Sequence, residues 1–153
     1  KAINLSKFKN QIKLIIVGYG PLKIKLNEFI NNHSLNCKII DNKTNLQKYY
    51  AKADLFILSS LYEGLPTVMI EAASNCLPII SSNFKSGSKE ILCSGKGGYI
   101  FKKKDHIELS NLINKFFKDP STFYKKEIIC RKNINKFSIN KNIKLFKNLF
   151  NRI

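Results

Sequence analysis

The sequence predicts an α/β protein with a Rossmann-like parallel sheet and helices on both faces. Short apolar, β-branched runs alternate along the chain with stretches of helical periodicity. A glycine turn follows the first of these runs, as expected where a strand passes into a helix. Because each connection between parallel strands must return over the sheet, and 153 residues with 44% hydrophobic content suffice for one core, we expect a single domain over residues 1–153.

The first half of the chain predicts three strands. Residues 13–17 form an apolar run that ends in the glycine turn, and they predict the first strand. A helix follows, which the asparagine-rich residues 31–33 close, and residues 37–40 predict the second strand. A short helix over residues 45–52 then leads to a third strand over residues 55–58. The apolar residues that recur at helical spacing in the first helix are Leu22, Leu26, Phe29 and Ile30.

The stretch over residues 63–75 predicts the helix that follows the third strand. Gly64 and Pro66 stand at its start, and residues 78–80 predict the fourth strand. Ligands of parallel sheets bind at the carboxyl ends of the strands. We therefore expect a site in the loops around Gly18, Asp41, Ser60 and Ser81.

The last third of the chain is predicted to be mainly helical. After a polar loop over residues 81–88 and a helical turn at residues 89–92, a glycine-bearing turn leads to an edge strand over residues 99–101. Asp105 is the expected N-cap of the next helix, and Pro120 opens a further one. The final helix carries an apolar stripe, which favours contact with the core or a partner domain over a membrane surface.

The formal net charge of +17 fits nucleic acid, anionic lipid or a biased composition. The lysines are spread along the whole chain and no aromatic-interleaved basic motif of an RNA-binding module is present. Compositional bias is therefore favoured, with no nucleic-acid partner and with peripheral contact to an anionic membrane as a milder alternative. Without a long apolar run or a signal-peptide pattern, the chain is expected to be cytoplasmic, with the inner face of the membrane as an alternative location.

The cysteines and histidines do not form a recognisable metal or disulfide pattern. The cysteines are widely scattered and lack paired spacing, so we expect reduced structural thiols. His33 and His106 lie in stretches typical of solvated turns and helix starts. No metal and no cofactor are expected. The four cysteines are Cys37, Cys76, Cys93 and Cys130.

Gly18 and Gly20 form the first motif that could carry chemistry. Glycine lets backbone N–H groups and a helix N-terminus approach an anion, so the turn could hold a phosphate. Asp41 stands at about the right distance to meet a ribose hydroxyl of a dinucleotide, but Lys23 occupies the third glycine position and would obstruct close helix packing. A NAD-binding oxidoreductase is therefore one alternative, and a simple tight turn is another.

The stronger signal is the segment from Glu63 to Glu71. In a continuous helix the two carboxylates would fall on roughly the same side and could address one elongated ligand. Carboxylates accept hydrogen bonds from sugar hydroxyls, while free backbone N–H groups at residues 64–67 suit a diphosphate. The alternatives are a turn residue for Glu63 and a solvated helix residue for Glu71, although the apolar context of Glu71 argues for a buried, partnered carboxylate.

With these motifs in place, the chain resembles glycosyltransferase family 4 of the GT-B enzymes over nearly its entire length. The resemblance implies the C-terminal, nucleotide-sugar-binding half, without its first strand, most of its first helix and the N-terminal acceptor domain. Two regions depart from the family: Asn75-Cys76 replaces a glycine usual before Pro78, and Asn42 stands where a glycine is common. The blocks that carry the resemblance are residues 14–21, residues 53–60, the E-x7-E signature from Glu63 to Glu71, residues 78–80, and Ser86-Gly87 with residues 90–92.

The resemblance also implies roles for the site residues. Glu63 would be the catalytic residue that contacts the donor sugar near the reacting centre, and Glu71 would bind the ribose hydroxyls. The remaining donor-binding residues fall into three groups: Gly64, Leu65, Pro66 and Thr67 beside the sugar and diphosphate; Ile40, Asp41 and Asn42 beside the base; and Gly18 and Gly20 on the phosphate side.

The function implied by the resemblance is the retaining transfer of a hexose or N-acetylhexosamine from a nucleotide sugar. The donor would be UDP-linked and the acceptor a glycan or a lipid-linked glycan, in polysaccharide or glycoconjugate biosynthesis. The family places an arginine and a lysine ahead of Lys1, and these cations stabilise the leaving diphosphate, so this fragment alone is expected to be inactive. An inactive transferase remnant and a basic nucleic-acid binder remain as alternatives.

Overall fold

The protein, seen in a computed structural model that describes residues 1–41 and 45–150, divides into two compact units. The first comprises Lys1–Lys52 with Asp105–Asp119, and the second comprises Ala53–Lys104 with Pro120–Ile153. All strand pairs among the described residues are parallel. The predicted parallel α/β organisation is therefore confirmed.

The first unit is built on a two-stranded parallel sheet in which β1 pairs with β2. Leu14 lies opposite Cys37 and Val17 lies opposite Ile40. The predicted strands at residues 13–17 and 37–40 are confirmed to within one residue. The elements are α1 (Ala2–Leu5), β1 (Leu14–Val17), α2 (Lys23–Asn32), β2 (Cys37–Ile40), α3 (Gln47–Tyr50) and α6 (His106–Lys118).

Side-chain contacts hold the amino-terminal residues of this unit against α6. The Ser6 hydroxyl and the Lys7 backbone N–H both donate to the Oδ1 of Asn114, at 2.7 and 3.0 Å. The rings of Phe8 and Phe117 stack with their centroids 4.8 Å apart. These contacts fix the position of the segment that leads into β1. The buried apolar side chains of the unit are Ala2, Ile30, Tyr50, Leu109 and Ile113.

Asp105 caps α6 as the sequence predicts. Its carboxylate accepts hydrogen bonds from the backbone N–H groups of Ile107 and Glu108, at 3.1 and 2.8 Å. Two of the N–H groups that begin a helix without an intrahelical partner are thereby satisfied. Lys115 and Lys118 lie in the last turn, where positive charge complements the helix dipole.

The second unit contains a three-stranded parallel sheet of order β3-β4-β5. Phe56 pairs with Ile79, and Ile80 pairs with Tyr99. β5 lies at one edge of this sheet, as predicted for residues 99–101. The elements are β3 (Phe56–Leu58), α4 (Thr67–Ser74), β4 (Ile79–Ser82), α5 (Ser88–Ile91), β5 (Tyr99–Phe101), α7 (Ser121–Ile134) and α8 (Ile139–Phe150).

β4 is the centre of the second unit, and all four of its residues are buried. The strand prediction for residues 78–80 ended too early, because Ser81 and Ser82 continue the ladder opposite Ile100 and Phe101. The Ser82 hydroxyl donates to the Ser60 carbonyl at 2.5 Å and the Ser81 hydroxyl to the Ser82 carbonyl at 3.1 Å. A serine side chain can be buried when a nearby carbonyl accepts a hydrogen bond from its hydroxyl. The polarity of Ser81 and Ser82 therefore did not mark the end of the strand.

Cys76 ends α4 in the left-handed conformation, with φ 59°. Its N–H donates to the carbonyl of Ala73 and the N–H of Leu77 to that of Ala72, both at 3.1 Å, which is the Schellman arrangement. Glycine is favoured at this position because a Cβ there crowds the backbone. Cys76 belongs to the Asn75-Cys76 pair that departs from the expected glycine. The backbone at position 76 would be less strained with glycine than with cysteine.

The buried thiol of Cys130 is chemically quiet. Burial, with smaller contributions from Cys93 and Glu127, raises the pKa of Cys130 to about 12. Burial also raises the pKa of Cys37. Because the thiolate is the reactive form of cysteine, neither environment activates its thiol.

α8 exposes its apolar stripe. Ile139, Phe146 and Phe150 are 75%, 61% and 72% exposed, so the expected contact of this stripe with the core is not observed for these side chains. The helix has 12 residues. Within the described ranges, no helix is both long and apolar enough to cross a membrane.

Candidate functional site

The two signature glutamates lie on different kinds of structure. α4 begins only at Thr67, so the predicted helix over residues 63–75 is wrong at its amino-terminal end. Pro66 stands at the N-cap with extended backbone, φ −75° and ψ 90°, and proline disfavours helical geometry in the residue before it. Glu63 therefore lies in the loop just before α4, and the continuous helix that would place Glu63 and Glu71 on one face is not observed.

Glu71 lies on α4 and is exposed, so the expectation of a buried carboxylate is also wrong. Met69, Ala72 and Ala73 are the buried residues of this helix. These apolar neighbours, which suggested burial of Glu71, are therefore buried themselves, while Glu71 is not. The carbonyl of Glu71 accepts hydrogen bonds from the backbone N–H and the side-chain amide of Asn75. An exposed carboxylate on a short, well-anchored helix is accessible to the hydroxyls of a ligand.

The amino-terminus of α4 offers backbone donors. Pro66 provides no side-chain cap, and the N–H of Met69 donates to the Pro66 carbonyl at 3.0 Å. Within residues 1–41 and 45–150, no acceptor is found for the backbone N–H groups of Thr67 and Val68. Uncapped N–H groups at a helix start are suited to bind an anion.

Gly64 and Leu65 leave room beside these donors. A Cβ placed on Gly64 would meet no heavy atom within 4 Å. Leu65 is 48% exposed. The loop before α4 therefore presents open backbone, against which a ligand can lie closely.

In the first unit, the predicted glycine turn follows β1. Gly18 has φ +152°, and its N–H donates to the Ile40 carbonyl at 2.9 Å. Gly20 has no such backbone requirement, and a Cβ there would meet nothing within 4 Å. The conformation thus explains the glycine at position 18, whereas the glycine at position 20 leaves unobstructed space beside the start of α2.

The residues predicted to meet the base begin at the end of β2. Ile40 is the last residue of that strand, and Asp41 is exposed directly after it. The Lys23 ammonium lies 2.5 Å from the Asp41 carboxylate. Lys23 therefore pairs with Asp41 at the surface, and Asn42 lies outside the described residues.

The loop around Glu63 is contacted by Lys103, to which sequence reasoning gave no role, and by Ser86 and Gly87, which it identified only as part of the family resemblance. The Ser86 hydroxyl donates to the Glu63 carbonyl at 2.9 Å. Lys103 follows β5 and places its ammonium 4.8 Å from the centre of the Tyr62 ring. The available signal was topological, because β3, β4 and β5 are parallel and the loops that leave them lie at one edge of the sheet.

The described residues contain no group of three or more histidine, cysteine, aspartate or glutamate side chains that could hold a metal ion. The expectation of a metal-independent site stays a prediction. The donor-binding roles of the individual residues likewise stay predictions.

Comparison with known sequences identifies a family and relatives of this chain. The family model for "Glycosyl transferases group 1" matches residues 1–150. The chain is 47% identical over 83 residues to an uncharacterized glycosyltransferase of Methanocaldococcus jannaschii, an alignment that covers 53% of this chain and 20% of that protein. Over 148 residues it is 26% identical to the poly(ribitol-phosphate) alpha-N-acetylglucosaminyltransferase of Staphylococcus aureus, covering 95% of this chain and 30% of that protein.

Comparison with solved structures supports the same relationship. A mutant of Staphylococcus aureus TarM in complex with Fondaparinux, alpha-GlcNAc-glycerol and UDP is similar to this chain with a TM-score of 0.86 and 26% identity. The match covers 98% of this chain and 31% of that one. The predicted GT-B type of α/β fold is thereby confirmed, and this chain spans less than a third of the length of these relatives.

Proposed function

This chain belongs to the group 1 glycosyltransferase family, and we propose that it forms the donor-binding part of a hexosyltransferase of the family 4 type. The donor is a UDP-linked hexose or N-acetylhexosamine, and the sugar is transferred with retention to a glycan or lipid-linked acceptor. The observation that carries the proposal is the start of α4, where an exposed Glu71 lies one helix turn beyond the uncapped N–H groups of Thr67 and Val68.

The diphosphate of the donor binds at the amino-terminus of α4. When the bond between the sugar and the diphosphate breaks, negative charge grows on the departing phosphate oxygen. The N–H groups of Thr67 and Val68, with the positive end of the helix dipole, stabilise that charge without a metal ion. Gly64 lets the phosphate approach the backbone closely, since no atom occupies the space beside it.

The two glutamates bind the carbohydrate parts of the donor. Glu71 accepts hydrogen bonds from the ribose hydroxyls, because a carboxylate has two oxygens and no proton to donate at neutral pH. Glu63 accepts from the hydroxyls of the transferred sugar. Support for UDP as the nucleotide comes from the TarM structure, which was determined with UDP.

The acceptor binds to a part of the enzyme outside this chain. Support comes from the length of the relatives, of which this chain covers less than a third. The relative from Staphylococcus aureus is named for the transfer of N-acetylglucosamine to poly(ribitol phosphate). We propose that the present chain alone binds donor weakly and does not catalyse transfer.

Calorimetric titration with UDP tests the proposal. We expect wild-type chain to bind UDP and the Glu71→Gln variant to bind it about 10-fold or more weakly, since hydrogen bonds to a charged group contribute about 1.5–3 kcal/mol. Glu90→Gln is the matched control, because Glu90 is an exposed carboxylate on α5 that pairs with Lys136. An equal loss of UDP affinity in both variants would show that Glu71 does not bind the donor.

The same titration separates the alternatives. Binding of NADH without UDP would favour the oxidoreductase, although Asp41 is paired with Lys23 in the structure. DNA binding that falls steeply with salt, without affinity for UDP or a UDP sugar, would favour a basic nucleic-acid binder. A remnant without function would bind none of these ligands.

A further inference from the structure

The loop that follows β4 contacts the backbone of the loop that carries Glu63. The hydroxyl of Ser86 lies 2.9 Å from the Glu63 carbonyl and 3.1 Å from the Gly64 carbonyl. A serine hydroxyl has a single proton, so the two neighbouring carbonyls share one three-centre hydrogen bond. One side chain thereby fixes the orientation of two consecutive peptide units.

Gly87 makes a second contact with the same loop. Its φ of +90° is a conformation that favours glycine, and a Cβ at this position would lie 2.5 Å from Cδ of Pro66 and 3.1 Å from the Gly64 carbonyl oxygen. Even one added methyl group would therefore have to push the two loops apart. We call Ser86 and Gly87 together the brace.

The brace itself is firmly anchored. The N–H of Asn83 donates to the Phe101 carbonyl at 2.8 Å, and the Ser88 hydroxyl donates to the Phe84 carbonyl at 3.2 Å. Phe84 is 1% exposed and Ser88 is fully buried. The loop after β4 is thus tied to the core of the second unit on both sides of the brace.

The loop before α4 is anchored at its two ends, by the Ser82 hydroxyl on the Ser60 carbonyl and by the buried Pro66, but is more open between them. Tyr62 is 85% exposed, Leu65 is 48% exposed, and the space beside Gly64 is open. Few buried apolar contacts make a segment mobile. The brace therefore limits the motion of the peptide units at Glu63 and Gly64, next to the contact of Lys103 with the Tyr62 ring.

We propose that Ser86 and Gly87 are positioning residues for the transferred sugar. They hold the peptide units at Glu63 and Gly64, and through them the side chain of Glu63. This inference rests on the proposed function. Since Glu71 lies on α4 beyond the braced peptides, loss of the brace weakens the grip on the sugar more than the grip on the nucleotide.

Backbone mobility provides the first test and needs no ligand. In Ser86→Ala, the ¹⁵N relaxation order parameters of Gly64 and Leu65 are expected to fall from the rigid range of about 0.85 towards about 0.6. Ser86→Thr keeps a hydroxyl and is expected to restore them. Ser74→Ala, which alters an exposed serine on α4, is the control, and unchanged order parameters in Ser86→Ala would overturn the brace.

Ligand discrimination provides the second test. Calorimetry with UDP and with UDP-N-acetylglucosamine should show that Ser86→Ala loses about fivefold in affinity for the UDP sugar and less than about twofold for UDP. Adding Ser86→Ala to Glu63→Gln should then cause no further loss, because Ser86 acts through Glu63. An equal loss for both ligands, or additive effects in the double variant, would overturn the positioning role.

Failure of the proposed function gives a different result. If wild-type chain bound neither UDP nor UDP-N-acetylglucosamine, the proposed function and the positioning role would both be wrong, while the order parameters would still decide whether the brace exists. Gly87→Ala is the harsher variant, in which the loops must separate. Circular dichroism on that variant shows whether any loss of binding accompanies loss of fold. If Gly87→Ala does not fold, the positioning role is judged from Ser86→Ala.

Discussion

The two units build parallel strands from similar patterns, but they bury them to different depths. β1 and β2 carry apolar residues and stay half-buried, with Ile15 38% exposed. β4 carries two serines and is buried throughout, with Ile80 fully inaccessible. The difference follows from neighbours within each sheet, since β4 has a strand on both sides whereas the described sheet of the first unit has two strands in all.

Each unit contains one of the candidate donor-binding segments, and the two segments rest on unequal supports within their own units. The signature from Glu63 to Glu71 leads into α4, whose inner residues Met69, Ala72 and Ala73 are fully buried. The glycine turn at residues 18–20 follows a strand of a two-stranded sheet, and two-stranded sheets are marginally stable by themselves. Stability and binding are therefore expected to respond differently to changes in the two units.

The largest expected effect tests the difference in burial directly. Ile80→Ala should lower the free energy of unfolding by about 2–5 kcal/mol, because a cavity replaces a fully buried side chain. The matched change Ile15→Ala in β1 should lower it by about 1 kcal/mol or less, since that side chain is already partly in water. Urea denaturation of both variants measures the contrast, and equal losses would break the comparison.

The glycine turn separates strain from binding. Gly18→Ala should lower the free energy of unfolding by about 1–3 kcal/mol, because alanine rarely adopts the observed backbone angle. Gly20→Ala should change it by about 0.5 kcal/mol or less, since a Cβ there meets open space. If Gly20 borders the diphosphate, the same variant binds UDP more weakly in calorimetry, and retention of full affinity would place the phosphate elsewhere.

The end of α4 shows that the better-buried unit still contains strain. Cys76→Gly should raise the free energy of unfolding by about 1 kcal/mol, because it places glycine at the left-handed position of the Schellman arrangement. Thermal or urea denaturation under reducing conditions measures the change. A loss of stability would mean that the thiol makes packing contacts worth more than the relief of the backbone.

The sequence predicted the strands well wherever apolar character and strand position coincide. The run Cys37–Ile40 was predicted without error, and Asp105 was identified as the cap that it is. Ser81 and Ser82 were assigned to a loop because their polarity suggested that the strand had ended. Both are buried, and the Ser82 hydroxyl donates to the carbonyl of Ser60, which is distant in the sequence, whereas the Ser81 hydroxyl donates to the adjacent Ser82 carbonyl. Residue type within one segment does not reveal such acceptors.

The geometry around the candidate site differs from the geometry that the sequence predicted. The spacing of Glu63 and Glu71 made them candidates, yet Pro66 delays the helix start and Glu71 faces solvent, so the continuous helix needed for a shared face is not observed. The contacts of Ser86 and Gly87 with the loop at Glu63 join residues more than twenty positions apart. Such pairings depend on the order of strands in the sheet, which local patterns do not specify.

The exposed apolar stripe of α8 makes this helix an amphipathic surface. Apolar side chains such as Ile139 and Phe150 lie on a helix whose charged residues are all lysines, in a molecule of net charge +17. At low ionic strength mutual repulsion keeps copies apart, but the Debye length shortens from about 10 Å at 0.1 M salt to about 3 Å at 1 M. Concentrated salt therefore weakens this electrostatic repulsion while strengthening apolar attraction, and association between copies is expected to increase with salt concentration.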